Sequence, residues 1–375
     1  MAVVGIVAEY NPFHVGHANH LARTRAAAGE DATLIVCMSG HWVQRGDCAV
    51  TDKWSRAATA AAFGADLVIE LPTPYAMASA ETFARGAVSL LSAAGVDTLS
   101  FGCETPDLTA LQTLANILNT PAFDMAIIPC LSAGLSYPAA RQKAAETLIG
   151  AETAALLSHP NNNLAVEYLR ALPPHIKPLA IDRPGRHDDP LPDPQNPSAA
   201  SIRALLRRGE NADTYLPRPW RGPVYDLRHL ERALLSRLRS LTVEALEALP
   251  DSGDGLAQRL WKAAQTAATL DGLWEEAKTK RLTHARLRRF TLRAALNVPP
   301  PTTPAYLRVL AMTKRGAAHL AALEETCPLP ILTKPAHHKE QLAAEAALTD
   351  QFSLCTAQSL PCGEEFRHSP AVVDS

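Results

Sequence analysis

The sequence predicts an α/β fold: a doubly wound parallel sheet followed by a mostly helical C-terminal region. Three observations carry this. Over the first 200 residues, short apolar runs alternate with helical patterns, as in sheets whose strands are joined by crossover helices. From about residue 225 the pattern is helical throughout, broken only at Pro250–Gly255 and Pro299–Pro304. The chain has 375 residues, 47% hydrophobic and 20% charged, which suits two or three globular domains and excludes disordered, coiled-coil and collagen-like chains.

In chain order, Val3–Val7 reads as a buried strand and His17–Ala28 as a helix. Thr33–Met38 is a second strand, Trp54–Phe63 an alanine-rich helix and Leu67–Glu70 a third strand. Ala80–Ala94 is a helix, Thr98–Phe101 a fourth strand, Asn162–Leu172 a helix and Pro178–Ile181 a further strand. The proline-rich stretch 182–197 reads as a long loop over the site, and Ser198–Arg208 as a helix with serine at its N-cap. The expected division is a sheet domain over 1–220, a basic helical region over 221–335 and a tail, partly disordered, over 336–375. Ligands of such sheets bind at the carboxyl ends of the strands, where the strand order reverses.

No apolar run reaches the ~20 residues of a membrane helix, and the first residues lack the cationic start of a secretory signal. Seven cysteines without CxxC or zinc spacing fit free thiols of a reducing cytoplasm. Charge is uneven: net −7 over residues 1–200, +10 over 201–320 and −5 over 321–375. Ala277–Leu320 carries ten cations and no acid, which favours a polyanion partner over a merely solvated face.

The strongest motif is NPFHVGH, Asn11 to His17, directly after the first strand. HxGH at a strand-to-helix turn resembles the fingerprint of the nucleotidylyl-transferase superfamily. Its logic is physical: His14 and His17 can donate hydrogen bonds to phosphoryl oxygens that gain charge, and the helix start adds free N–H groups. Gly16 lets an adenine ring approach the backbone. The matching second element is SAASIR: Ser198 and Ser201 can bond phosphate oxygens and Arg203 can neutralise charge. His14, His17, Ser201 and Arg203 are therefore the candidate catalytic residues.

With these motifs the chain resembles the tRNA(Met) cytidine acetate ligase family, a branch of the HIGH nucleotidyltransferases, to about residue 335. The resemblance rests on GIVAEYNPFHVGH, MSGHWVQRGDCAVTDKWSRA, GADLVIELPTPYAMASAETFA, FGCE, PNNNLAVEYL, SAASIR and YLRVLAMTKRG. It implies a cytoplasmic ligase that activates acetate with ATP to acetyl-adenylate and transfers the acetyl group to N4 of the wobble cytidine of elongator tRNA(Met). It further implies an adenylate-binding loop of Val7, Ala8, Glu9, Tyr10, Asn11, Pro12, Phe13, His14, Gly16, His17 and His20. Gly102, Ser198, Asn161 or Asn162, and Arg183 or Arg186 would complete the nucleotide site. Two departures stand out: Arg186 replaces an aromatic before His187, and Ala200 stands where threonine is usual.

No protein nucleophile is required. Acetate attacks the α-phosphorus, pyrophosphate leaves, and Mg²⁺ is expected on the phosphates without a dedicated protein site. Gln44, Arg45, Asp52 and Lys53 form a polar block whose Arg45 and Lys53 either hold an anion or belong to a helix-capping ion-pair cluster. The cationic stretch supplies the expected tRNA footprint: Arg281, Arg286, Arg288, Arg289, Arg293, Arg308, Lys314 and Arg315, beside Tyr306. Two rival functions are an adenylyltransferase acting on a small cofactor precursor and a catalytically silent RNA-binding protein on the same fold.

Overall fold

The computed structural model describes residues 1–183 and 197–374. Its ten strands are β1 (Val3–Ala8), β2 (Thr33–Ser39), β3 (Trp42–Val43), β4 (Asp47–Cys48), β5 (Leu67–Leu71), β6 (Thr98–Cys103), β7 (Lys177–Asp182), β8 (Leu307–Met312), β9 (Ile331–Leu332) and β10 (Ala371–Val372). The main sheet runs β10-β8-β5-β2-β1-β6-β7, with β9 on β8, while β3 and β4 form a separate hairpin. β5, β2, β1, β6 and β7 are mutually parallel; β8 runs antiparallel to β5. The chain builds outward from β1 to β5 on one side and then to β7 on the other. The order therefore reverses between β1 and β6, and a crevice opens at their carboxyl ends.

Burial on both faces explains the continuous apolar runs. In β2, Leu34, Val36 and Met38 pack with Leu21, Ala57 and Ala60 on one face. Ile35 and Cys37 pack with Phe83, Ala87 and Leu91 on the other. Helix starts follow their caps: Asp52, Ser79 and Ser198 accept from the backbone N–H groups of Ser55, Thr82 and Ser201. A third core gathers the C-terminal helices around Leu260, Leu273, Leu287 and Phe290, and the β3–β4 hairpin plugs into it through Trp42 and Cys48.

The C-terminal part differs from the expectation in two ways. Leu307–Met312 is not helical; it is a buried strand of the main sheet. Its run LRVLAM is too short and apolar to separate strand from helix by periodicity. The tail, expected to be partly disordered, is folded: Ala343–Phe352 is a helix and β10 pairs with β8. It is held by buried apolar side chains, Leu348, Phe352 and Cys355, and by buried charge. Lys53 Nζ lies 2.6 Å from Glu70 Oε1 and 2.7 Å from Glu365 Oε2, all fully out of solvent. Arg308, at 0% exposure, faces Glu365 at 3.6 Å and donates to the carbonyls of Val309, Leu332 and His368. Glu345 accepts from Thr73 N and Oγ1, both at 2.7 Å. Burial and the nearby Glu70 push its carboxyl up to about 7.

One tail carboxylate, Glu365, thus neutralises Lys53 of the helix Lys53–Ala62 and Arg308 of β8. Removing one partner of a buried pair strands the other and costs about 3–5 kcal/mol. We predict that Glu365→Gln lowers the urea midpoint sharply, whereas Glu364→Gln, at the half-exposed neighbouring carboxylate, leaves it nearly unchanged. Equal midpoints would show that the cluster is not what anchors the tail.

Candidate functional site

The crevice begins with the loop leaving β1. Tyr10 sits at φ 47°, a conformation unusual for a bulky residue. The surrounding structure imposes it. Arg56 donates to Glu9 O at 2.6 Å, Arg203 to Asn11 O at 2.6 Å, and Val50 N to Asn11 Oδ1 at 2.8 Å. Gln44 N donates to Glu9 Oε1 at 2.7 Å. Arg56, on the helix Lys53–Ala62, also donates to the carbonyls of Thr51, Ser39 and Gly40. The loop is therefore nailed down by groups spread over almost 200 residues of sequence.

The helix Val15–Ala28 opens with a reciprocal cap between the two motif histidines. Gly16 N donates to His14 Nδ1 at 3.1 Å, and His14 N donates to His17 Nδ1 at 3.3 Å. The rings stack with centroids 3.6 Å apart. Because each Nδ1 accepts, each neutral ring carries its proton on Nε2. Burial, with His14, Arg183 and His20 nearby, holds His17 well below its usual value. Burial, Arg183 and Arg23 lower His20 to about 4, and its Nε2 lies 3.3 Å from Ser100 Oγ. Near neutrality His17 and His20 are uncharged, and His17 can act as an N–H donor.

The second turn arrives beside the first. Ser198 Oγ accepts from Ser201 N at 3.1 Å, starting the helix Ala199–Arg207, and Arg203 reaches Asn11. On the far side, Glu104 after β6 binds the start of the helix Pro160–Ala171. Its Oε1 accepts from Asn161 N and Nδ2, and its Oε2 from Asn162 N. This fixes the register of the asparagine run. Asn161 and Asn163 line the cleft, whereas Asn162 is buried and its Oδ1 accepts from Glu104 N and Thr105 N. Arg183 donates to Asn161 Oδ1 at 3.0 Å; Arg186 and His187 lie outside the described residues. A Cβ on Gly102 would meet Arg183 at an ordinary 3.6 Å, so the protein's own packing does not demand glycine there.

These groups border one cleft of about 1210 Å³, lined by Glu9, Tyr10, Asn11, His17, His20, Gly102, Asn161, Arg183 and Arg203. Its opposite wall is the cationic segment: Arg281, Arg286 and Arg289 line the same cleft, as do Leu131, Leu135 and Tyr137. Among the described residues no cluster of His, Cys, Asp or Glu is arranged to hold a metal ion, and no single helix is long and apolar enough to cross a membrane.

Several expected roles need correction. Lys53 cannot hold a ligand anion, because its ammonium is buried between Glu70 and Glu365; Asp52 is the N-cap of its helix. Asn162 faces away from the cleft. The cationic set does not form one footprint. Arg308 is sealed inside, and the buried Arg293 donates to the carbonyls of Pro299 and Met77. Lys314 pairs with Asp374, and Arg315 donates to Glu30 O and Ala32 O. Both follow β8, whose end pairs with the start of β5, so they sit at the end of the sheet away from the cleft. Arg288 stacks 4.2 Å over Trp274 and donates to Gly46 O, and Arg286 pairs with Asp254. Arg281 remains exposed at the cleft. Sequence reasoning passed over Arg56 and Glu104. Both lie inside quoted blocks, and their only sequence signal is a charged residue amid apolar neighbours.

The HIGH Nucleotidyl Transferase family model matches residues 1–364. A tRNA(Met) cytidine acetate ligase of Syntrophotalea carbinolica is 39% identical over 91% of this chain and 87% of its own. One of Thermoanaerobacter sp. is 34% identical over 98% and 99%. The apo crystal structure of Thermotoga maritima TmcAL superposes over all of both chains with TM-score 0.91 at 29% identity, and the form bound with alpha-thio ATP with 0.89.

The depressed histidines make a stability prediction. Folded His17 and His20 bind protons more weakly than unfolded histidine at 6.5. Their stabilising effect is complete above pH 6.5 and is lost as pH falls toward 4. His20→Gln should lose less stability than wild type between pH 6.5 and 4.5 in denaturant titrations; parallel curves would contradict the assignment.

Proposed function

The chain belongs to the tRNA(Met) cytidine acetate ligase family of HIGH nucleotidyl transferases, and from that premise we propose that it activates acetate with ATP and acetylates the wobble cytidine of elongator tRNA(Met). The observation that supports this best is the shared cleft. Its inner wall carries Gly16 and His17 of the histidine turn and Ala199 and Arg203 of the second turn, and its outer wall carries Arg281, Arg286 and Arg289. A nucleotide on the first wall and a polyanionic substrate on the second would meet in one space. An adenylyltransferase for a small cofactor has no use for the exposed Arg281.

In the first step an acetate oxygen forms a bond to the α-phosphorus and the bond to pyrophosphate breaks. The transition state gathers charge on phosphoryl oxygens. The Nε2–H of the cleft-lining His17, the N–H groups at the helix starts and the Arg203 guanidinium would stabilise it, with the buried His14, stacked on His17, adding its own Nε2–H. Arg183, held by Asn161, would orient the nucleotide at the β6 edge. A divalent ion would arrive on the phosphates and neutralise charge there. In the second step the cytidine N4 amine attacks the acetyl carbonyl, AMP leaves, and the amine gives up one proton. The base must be unstacked to enter the cleft.

The primary test is nucleoside mass spectrometry of tRNA(Met) after incubation with ATP and acetate. A gain of one acetyl group on cytidine is expected; its absence with folded enzyme and intact tRNA overturns the proposal. A second prediction isolates the histidine turn. His14→Asn keeps an N-cap residue but withdraws the Nε2–H donor. Acetate-dependent ATP–pyrophosphate exchange should fall roughly 10²–10³-fold, the usual loss of one transition-state donor, with an unchanged melting curve. A third concerns RNA. Arg281→Glu should weaken tRNA binding and reduce its log–log salt slope by about one, while Lys314→Glu, at the end of the sheet away from the cleft, changes neither. Equal effects would place the footprint elsewhere.

A further inference from the structure

Four buried side-chain donors of cleft-lining residues make no hydrogen bond among the described residues: Tyr10 Oη, Gln44 Nε2, Arg141 Nη2, which faces Glu167, and Arg289 Nε; of these, Gln44 and Arg289 adjoin. Gln44 sits in the turn of the β3–β4 hairpin, its backbone engaged on both sides: its N–H donates to Glu9 Oε1 at 2.7 Å, and its carbonyl accepts from Arg289 Nη1 at 3.1 Å. It thereby bridges the β1 loop and the helix His284–Leu296, the two walls of the cleft. Its side-chain Nε2 is buried with no hydrogen-bond partner among the described residues, and so is Nε of Arg289. Both residues line the cleft. An amide N–H₂ and a guanidinium N–H out of water without acceptors are costly, by more for the charged group. Their retention needs a reason that the free protein does not supply.

The two adjoining orphan atoms are of one kind, although Glu9 and Asp251 also line the cleft. Both atoms are obligate donors, so a complementary ligand is acceptor-only. A planar carboxylate, with two oxygens and four lone-pair sites, matches an amide and a guanidinium better than any other small group. Arg45 and Arg203 line the same cleft and offset the Glu9 carboxylate, which is itself engaged by Gln44 N–H. The position suits the acyl substrate. Gln44 is one hydrogen bond from Glu9 of the β1 loop, and the cleft it lines also holds His17 and Arg203. We propose that Gln44 and Arg289 are the carboxylate-binding pair for acetate. This rests on the ligase reading and deepens it: Arg289 then serves the acyl substrate rather than the RNA backbone.

The test is steady-state ATP–pyrophosphate exchange, with acetate and ATP varied separately, for wild type, Gln44→Leu, Gln44→Glu and Arg289→Met. Gln44 variants keep both backbone hydrogen bonds, so they carry the test even where Arg289→Met fails to fold. The acetate KM should rise at least about tenfold in Gln44→Leu, equivalent to about 1.4 kcal/mol. It should rise further in Gln44→Glu, where like charges meet. The ATP KM and kcat at saturating acetate should stay within about twofold, well under that tenfold step. An unchanged acetate KM overturns the proposal. So does a rise confined to the ATP KM, which would assign these donors to a phosphate oxygen. A folded wild type that exchanges pyrophosphate without any dependence on acetate overturns the ligase reading, and the proposal with it. That result is distinct from a variant failure on an active wild type.

Discussion

Everything at the cleft depends on one helix held by a buried charge. Lys53, at the first position of its helix, is clasped by Glu70 from β5 and Glu365 from the tail. Three residues on and one turn along the same face, Arg56 spreads its guanidinium over the carbonyls of Glu9, Ser39, Gly40 and Thr51. A buried guanidinium bound to four carbonyls with little freedom is a template for chain direction. It fixes the end of β2 and the exit from β1 relative to each other. Desolvation lowers Arg56 to about 10, still far above neutrality, so the template stays charged. The order of dependence runs from tail carboxylate to lysine, to helix, to arginine, to loop, and only then to the histidines.

That order also explains what the sequence could and could not disclose. The parallel strands were legible because burial on both faces leaves continuous apolar runs between punctuated helices. The histidine turn was legible because HxGH has a position and a physical reason. β8 and the tail were not: LRVLAM is too short to separate strand from helix, and the tail's apolar contacts and ion pairs reach partners distant in sequence. Arg308 and Lys53 look in sequence like any surface cation, and only the fold supplies the carboxylates that bury them. The same blindness inflated the basic footprint. Ten cations without an acid between 277 and 320 read as one patch, yet their acids and carbonyls come from elsewhere: Asp254, Glu365, Asp374, Glu30. Local charge counts cannot see partners distant in sequence.

The cleft itself is a joint product of the two regions. The β3–β4 hairpin springs from the sheet but buries Trp42 in the helical core, with its indole N–H on Leu348 O at 3.1 Å. Gly46 in its turn lies against Arg288 and Arg289, where a Cβ would come within 2.5 Å of Arg289 N. Together with φ of 70°, this leaves no room for a side chain. The hairpin is thus a rigid strut between the walls. A substrate touching both walls is held at a fixed span, which suits a reaction whose two halves share one acyl group.

Charge in this cleft is divided by type of carrier. The imidazoles are buried beside Arg183, and His17 is driven toward the neutral form, so its contribution is directional: an N–H aimed by a cap that simultaneously fixes the tautomer. The net positive charge comes from guanidiniums, which do not titrate near neutrality. On the proposed mechanism, a site built this way would stabilise developing phosphoryl charge without gaining or losing a proton at its own side chains. Neutral donors also avoid adding two more cations to a desolvated space already holding Arg183 and Arg203. Placing the histidines at the helix start achieves both ends, because each Nδ1 is spent on a backbone N–H, His14 on Gly16 and His17 on His14, which leaves the Nε2–H of the cleft-lining His17 as its donor.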